Sequence, residues 1–217
     1  MEEGIKIAQS KSHPGKVEQW KKELLRIAVA EKDTAAIRLY TKYFAFSQWF
    51  SPAYYQQWKE TFTQQEWKVV IESHLNETIK KVTDEWMKNK HKMWRPTAYP
   101  PLLQYVGSIY IMEKYWDRLL KLVQQANDLN ITLEYHPHLV KNYPAELLAI
   151  YLPAFEEYGT QANDRSAYAD LDWKMKKIIT DIPEGKEKII AIAKRLITKF
   201  SVKPRRPAMI EELTKVL

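Results

Sequence analysis

The stretch TQQEWKVVIESHL, residues 63–75, sets the fold class. Thr63 and Glu66 have the T-x-x-E spacing of a capping box, in which two side chains satisfy backbone N–H groups at a helix start. The helix that opens there is expected to run to about Lys90, with Trp67 as its first buried residue. Working back toward the N-terminus, Ser51-Pro52 reads as an N-cap followed by proline at the first helical position. Ala36, Leu39, Tyr40, Tyr43 and Phe44 fall on one helix face after Asp33, a second N-cap. Val17, Trp20, Leu24, Ile27 and Ala28 form a third such face, on a helix that Pro14 opens.

Working forward, HKMWRPTAYPP, residues 91–101, is the strongest break, with three prolines in one short run. It reads as a loop and as a boundary between two sub-bundles of one helical domain spanning 1–217. Helices are then expected over 102–112, 115–126, 133–142, 144–158, 164–180, 183–201 and 207–216. No stretch alternates with period two, and neither Asn-Gly nor Asp-Gly occurs. The expected class is all-α.

The segments at 30–43, 59–74 and 109–124 share a plan. A helix end and a short polar turn lead to a second helix whose first buried residue is Ala36, Trp67 or Trp116. Their spacing is uneven, against the constant interval of about 34 residues in tetratricopeptide repeats. An irregular, tetratricopeptide-like α-α superhelix of antiparallel hairpins is therefore expected.

Composition bounds the chemistry. The 217 residues include no cysteine, which removes disulfides, thiolate nucleophiles and cysteine-ligated zinc or iron–sulfur sites. The hydrophobic fraction of 45% suits a globular chain, and five glycines leave few tight turns. The leading residues MEEGIKIAQSKSHPG carry two early acids and lack the apolar core of a signal peptide. No apolar run approaches the ~20 residues that span a bilayer. A cytoplasmic protein without membrane contact is expected. The net charge of +7 favours acidic partners, nucleic acid among them, although solvated lysine-bearing helix faces give the same balance.

Of five histidines, His136 and His138 are close, in EYHPHLV with Glu134 nearby. Zinc needs three or four ligands, so these are expected to be capping or surface groups, with no metal and no cofactor. The carboxylate pairs Glu156-Glu157, Asp170 with Asp172, and Glu211-Glu212 are one or two residues apart and do not share a helix face. The P-loop, G-x-S-x-G, H-E-x-x-H and G-x-G-x-x-G motifs are all missing, so a catalytic role is not expected.

The cluster DEWMKNKHKMWRP, residues 84–96, interleaves Lys88, Lys90, Lys92 and Arg95 with Trp86, Met93 and Trp94. One reading has lysines on phosphates and tryptophans on bases. The favoured reading packs Trp86 and Met93 in the core with lysines fringing a loop. With Arg205 and Arg206, the residues Trp86, Lys88, Lys90, Lys92, Trp94 and Arg95 form the candidate partner-binding set.

YIMEKYWDRLL (110–120), NYPAELLAIY (142–151), DRSAYADL (164–171) and RRPAMIEEL (205–213) resemble the C-terminal helical region of bacterial proteins carrying a SWIM-type zinc finger. The first half, through YYQQWKETFTQQEWKVVIESHL, resembles the region upstream of that module. The resemblance implies an α-α superhelix and no activity. The C-x-C…C-x-H finger is missing, so zinc binding does not carry over.

The ending, KPRRPAMIEELTKVL (203–217), is expected to be a structural cap rather than a basic hook. Pro207 stops one helix and opens the last. Ala208, Met209, Ile210, Leu213 and Leu217 supply an apolar stripe, with Glu211, Glu212 and Lys215 wet. Arg205 and Arg206 are expected to pair with acids near Asp170 or Asp172. The leading functional expectation is a helical scaffold that binds a protein or peptide, and the alternative is a nucleic-acid-associated module.

Overall fold

A computed structural model of the chain describes residues 14–92, 97–202 and 204–217. Among these the regular structure is entirely helical, as the sequence pattern predicts. The chain forms two compact units, Met1–Asp84 and Glu85–Leu217.

The first unit contains α1 (Pro14–Glu31), α2 (Thr34–Phe46), α3 (Pro52–Glu60) and most of α4 (Gln64–Asn89). The turn after α1 places Lys32 at φ 58°, and Asp33 then accepts hydrogen bonds from the amides of Ala35 and Ala36. That cap lets α2 fold back on α1. At α3 the proline sits at the first helical position as expected, but Ser51 makes no side-chain cap. The capping box at α4 is reciprocal. The Glu66 amide donates to Thr63 Oγ1 (3.3 Å), and the Thr63 amide donates to Glu66 Oε2 (2.8 Å). The Thr63 amide, with the Thr63 hydroxyl adding, holds the Glu66 carboxyl below the usual range.

Large aromatics fill this unit. Tyr55, Trp58 and Trp67 are buried, with Trp58 edge-on to Trp67 (centroids 4.9 Å) and Tyr55 edge-on to Trp67 (5.6 Å). Each such ring removes roughly 150–250 Å² from water, the dominant stabilising term for so short a bundle. His74 is half-buried against Phe46 (4.6 Å) and Trp58 (5.6 Å). Burial, with the Lys42 charge adding, pushes its pKa down to about 4. Leu39, expected on the inner face of α2, is 63% exposed. Phe44 is buried as expected, with Thr41 and Ala45 beside it, so the buried stripe is rotated away from Leu39.

The second unit runs through α5 (Leu103–Glu113), α6 (Trp116–Ala126), α7 (Leu129–Leu139), α8 (Pro144–Gln161), α9 (Arg165–Asp181), α10 (Lys186–Ser201) and α11 (Pro207–Thr214). Each helix packs on the next, and α8 and α9 also reach α10 and α11 respectively. Gly107 permits close approach of α5 to α7: a Cβ there would lie 2.6 Å from the Tyr135 hydroxyl. Helix α7 starts earlier than the expected 133, because the Asp128 carboxylate accepts from the amides of Asn130 and Ile131. Pro137 lies inside α7 and Pro153 inside α8, each forgoing one backbone donor.

The ending packs as a cap, with corrections to its details. Met209 and Leu213 are fully buried between α9 and α10, where α11 docks. Glu212, expected to be wet, is buried, and Leu217, expected in the stripe, is 52% exposed while Val216 takes its place. Arg165 bonds both acids: Nη2 to Glu211 Oε1 (2.6 Å) and Nε to Glu212 Oε1 (3.3 Å). Lys215 holds the other Glu212 oxygen, and these cations keep that carboxyl low.

Candidate functional site

The candidate residues named from the sequence separate into three groups. Trp94 and Arg95, with Met93 beside them, lie outside the described residues.

Arg206 is structural. Its Nη1 donates to the carbonyls of Gly159 (3.3 Å), Thr160 (3.1 Å) and Ala162 (2.5 Å), which close α8. Its guanidinium lies 4.0 Å over the Phe200 ring. A cation on the carbonyl end of a helix opposes the negative end of its dipole. The expected pairing with Asp170 or Asp172 is therefore corrected. Asp170 is held by Lys174 and Tyr158, and Asp172 pairs with Lys176. The same-helix pairs Asp170–Lys174 and Asp172–Lys176 are four residues apart and occupy those carboxylates. Arg205 is exposed.

Trp86, Lys88, Lys90 and Lys92 lie at the end of α4 and in the 3-10 turn Lys90–Lys92. The three lysines are exposed and Trp86 is half-buried, not a core residue. Its indole N–H donates to Thr97 Oγ1 (3.2 Å), and Lys90 Nζ stands 5.0 Å over its ring. The Thr97 hydroxyl in turn donates to the Tyr99 carbonyl (2.7 Å). Trp86 thus anchors the segment that begins at Thr97.

That segment forms one wall of a groove that sequence reasoning missed. The cavity is about 310 Å³. Tyr99, Pro101, Leu103, Leu122, Ala126 and Ile131 give it an apolar lining, and Thr97, Gln104 and Gln125 supply polar groups. It lies where the start of α5, the end of α6 and the start of α7 meet the proline-bearing segment. Prolines at 100 and 101 offer no backbone N–H, so two positions of this wall donate no backbone hydrogen bond. Tyr99 is half-exposed above it. The proline run was the one available signal, and it was read only as a break.

Of the two histidines, His136 is corrected and His138 is at the surface as expected. His136, expected at the surface, is buried: its Nε2 lies 3.1 Å from Asp181 Oδ2 and its Nδ1 3.0 Å from the Tyr151 hydroxyl. A carboxylate can only accept, so the neutral imidazole donates from Nε2 and receives the Tyr151 proton at Nδ1. Burial lowers the His136 pKa, Asp181 opposing, and burial raises that of Tyr151. Asp181 is held low by Lys177, with His136 adding. This chain ties α7, α8 and α9 together, and none of its members lines the groove. His138 is exposed and stacks on Trp116 (6.2 Å, 12°). Among the described residues no three His, Asp or Glu side chains gather as a metal site would require, and no helix is long and apolar enough to cross a membrane.

Comparison with known proteins adds nothing to this geometry: no family model, curated protein or solved structure matches the chain.

Proposed function

We propose that the chain is a non-enzymatic helical scaffold that binds a segment of a protein partner, and that the groove beside Tyr99 is where the segment sits. One observation carries this reading: an apolar cavity of about 310 Å³ on a rigid helical frame, with a few polar groups at its edge. That is the usual make-up of a recognition site, apolar for affinity and sparingly polar for orientation. Helix ends hold three of its walls, and the fourth is pinned by Trp86 through Thr97, so the pocket is formed before any ligand arrives. On this proposal the chain is a relative of the helical region of SWIM zinc-finger proteins.

The nucleic-acid reading has less support. Lys88, Lys90 and Lys92 are exposed, but the Trp86 ring that would stack on a base carries Lys90 on its face and is tied by its N–H to Thr97.

Panning a library of random dodecapeptides displayed on phage tests the proposal. The wild-type chain is expected to enrich a pool that Ala126→Trp, which fills the groove from an exposed position, no longer retains. Circular dichroism establishes that the variant is folded. A pool retained equally by the variant, or no pool, refutes the assignment.

A further inference from the structure

The charge that lines the groove and its margin is cationic. A second hollow adjoins it, sharing Tyr99 and Gln125 and adding Lys121, Gln124 and Asn127. Lys121 is the one charged residue lining either hollow among the described residues, and it makes no ion pair there. At the wall pinned by Trp86, Lys90 lies over the indole and is likewise free of any carboxylate among the described residues. Lys88 and Lys92 flank it, exposed and unpaired in the same sense. Acids stand nearby, but none pairs with these lysines among the described residues. Asp128, beside α7, is committed to two backbone amides, and Asp117 accepts from Tyr143. Asp84 and Glu85 are exposed acids on the last turns of α4, Asp84 four residues before Lys88.

We propose that the segment taken by this groove is acidic: one bulky apolar side chain enters the cavity, and carboxylates on either side of it meet Lys121 and Lys90. The inference rests on the peptide-binding reading above and narrows it to one class of partner. The apolar lining accounts for the anchor, and a cavity near 310 Å³ suits a single leucine- or phenylalanine-sized group with room for part of its backbone. The lysines account for the flanks. An unpaired rim cation repels a basic segment and draws in an acidic one, setting specificity and encounter rate more than depth of binding. The amides of Gln124, Gln125 and Asn127 beside Lys121 can hydrogen-bond either a backbone or a carboxylate without adding charge.

The pool of dodecapeptides retained by the wild type but not by Ala126→Trp decides the matter. Its members are expected to carry a net negative charge around one large apolar residue. Synthetic, fluorescein-labelled copies should bind the Lys121→Glu variant roughly fivefold more weakly by anisotropy, since reversal replaces an attraction with a repulsion. The difference should shrink as salt is raised. A groove-dependent pool that is neutral or basic, or that binds Lys121→Glu as well as the wild type, overturns the acidic inference and leaves the peptide-binding reading standing. The absence of any pool sensitive to Ala126→Trp overturns both.

Discussion

Replacing Arg206 by alanine removes a guanidinium that closes α8 through three carbonyls and lies on the Phe200 ring. Its loss leaves the carbonyls of Gly159, Thr160 and Ala162 without their cation, while the α10–α11 connection loses its anchor. A hydrogen bond to a charged group contributes about 1.5–3 kcal/mol, but one nitrogen shared by three acceptors does not contribute three times over. A cation at a helix C-terminus adds about 0.3–1 kcal/mol, and a cation over a ring about 0.5–1 kcal/mol. Allowing for non-additivity and for water reaching a half-buried site, the loss should be about 2–3 kcal/mol. For a unit of this size that lowers Tm by roughly 6–10 °C. The control is next door. Arg205 is exposed, and Arg205→Ala should stay within about 0.5 kcal/mol of wild type. Urea titration by circular dichroism gives both values, and hydrogen exchange should show faster opening of α11 in the Arg206 variant. Equal midpoints for the two variants would refute the clamp.

Three further outcomes are expected. His74 titrates near 4 in the folded chain against about 6.5 when unfolded, so the unfolded state binds the extra proton between those values. Stability present above pH 6.5 is therefore lost as pH falls toward 4, by about 1–2 kcal/mol after discounting for partial exposure. Urea midpoints at pH 7 and 4.5 should converge in His74→Phe, and an unchanged pH slope would count against the buried ring. A chain ending at Val202 loses the burial of Met209, Leu213 and Val216, about 5 kcal/mol or more, and should aggregate or melt well below the full chain; an unchanged melt contradicts the cap. Random-sequence oligonucleotides should show no binding at about 0.15 M salt. Affinity that is steeply salt-dependent and lost in Lys88→Glu/Lys90→Glu would restore the nucleic-acid reading.

What the sequence revealed was local. The Thr63/Glu66 box, the Asp33 cap and the prolines at 14, 52, 144 and 207 act through a few neighbouring atoms, and six helices begin where those signals stand. The misread features depend on partners far along the chain. Glu212 looks solvated beside Glu211, yet Arg165, more than forty residues away, lets it be buried. His136 looks like a surface group beside a proline, yet Asp181 and Tyr151 satisfy both ring nitrogens inside the core. Arg206 looks like half of a basic pair, but backbone carbonyls, which carry no sequence signature, are what bind it. The groove is a shape made by three helix ends and two prolines, and no periodicity encodes a cavity.

Amide resonances give the most direct test of the groove assignment. Titrating the ¹⁵N-labelled 217-residue chain with a peptide from the enriched pool should shift the amides of Leu103, Gln104, Leu122, Gln125, Ala126 and Ile131, and leave those around Trp58 and Trp67 in place. Shifts centred on any other surface, or spread evenly over the chain, would contradict the account.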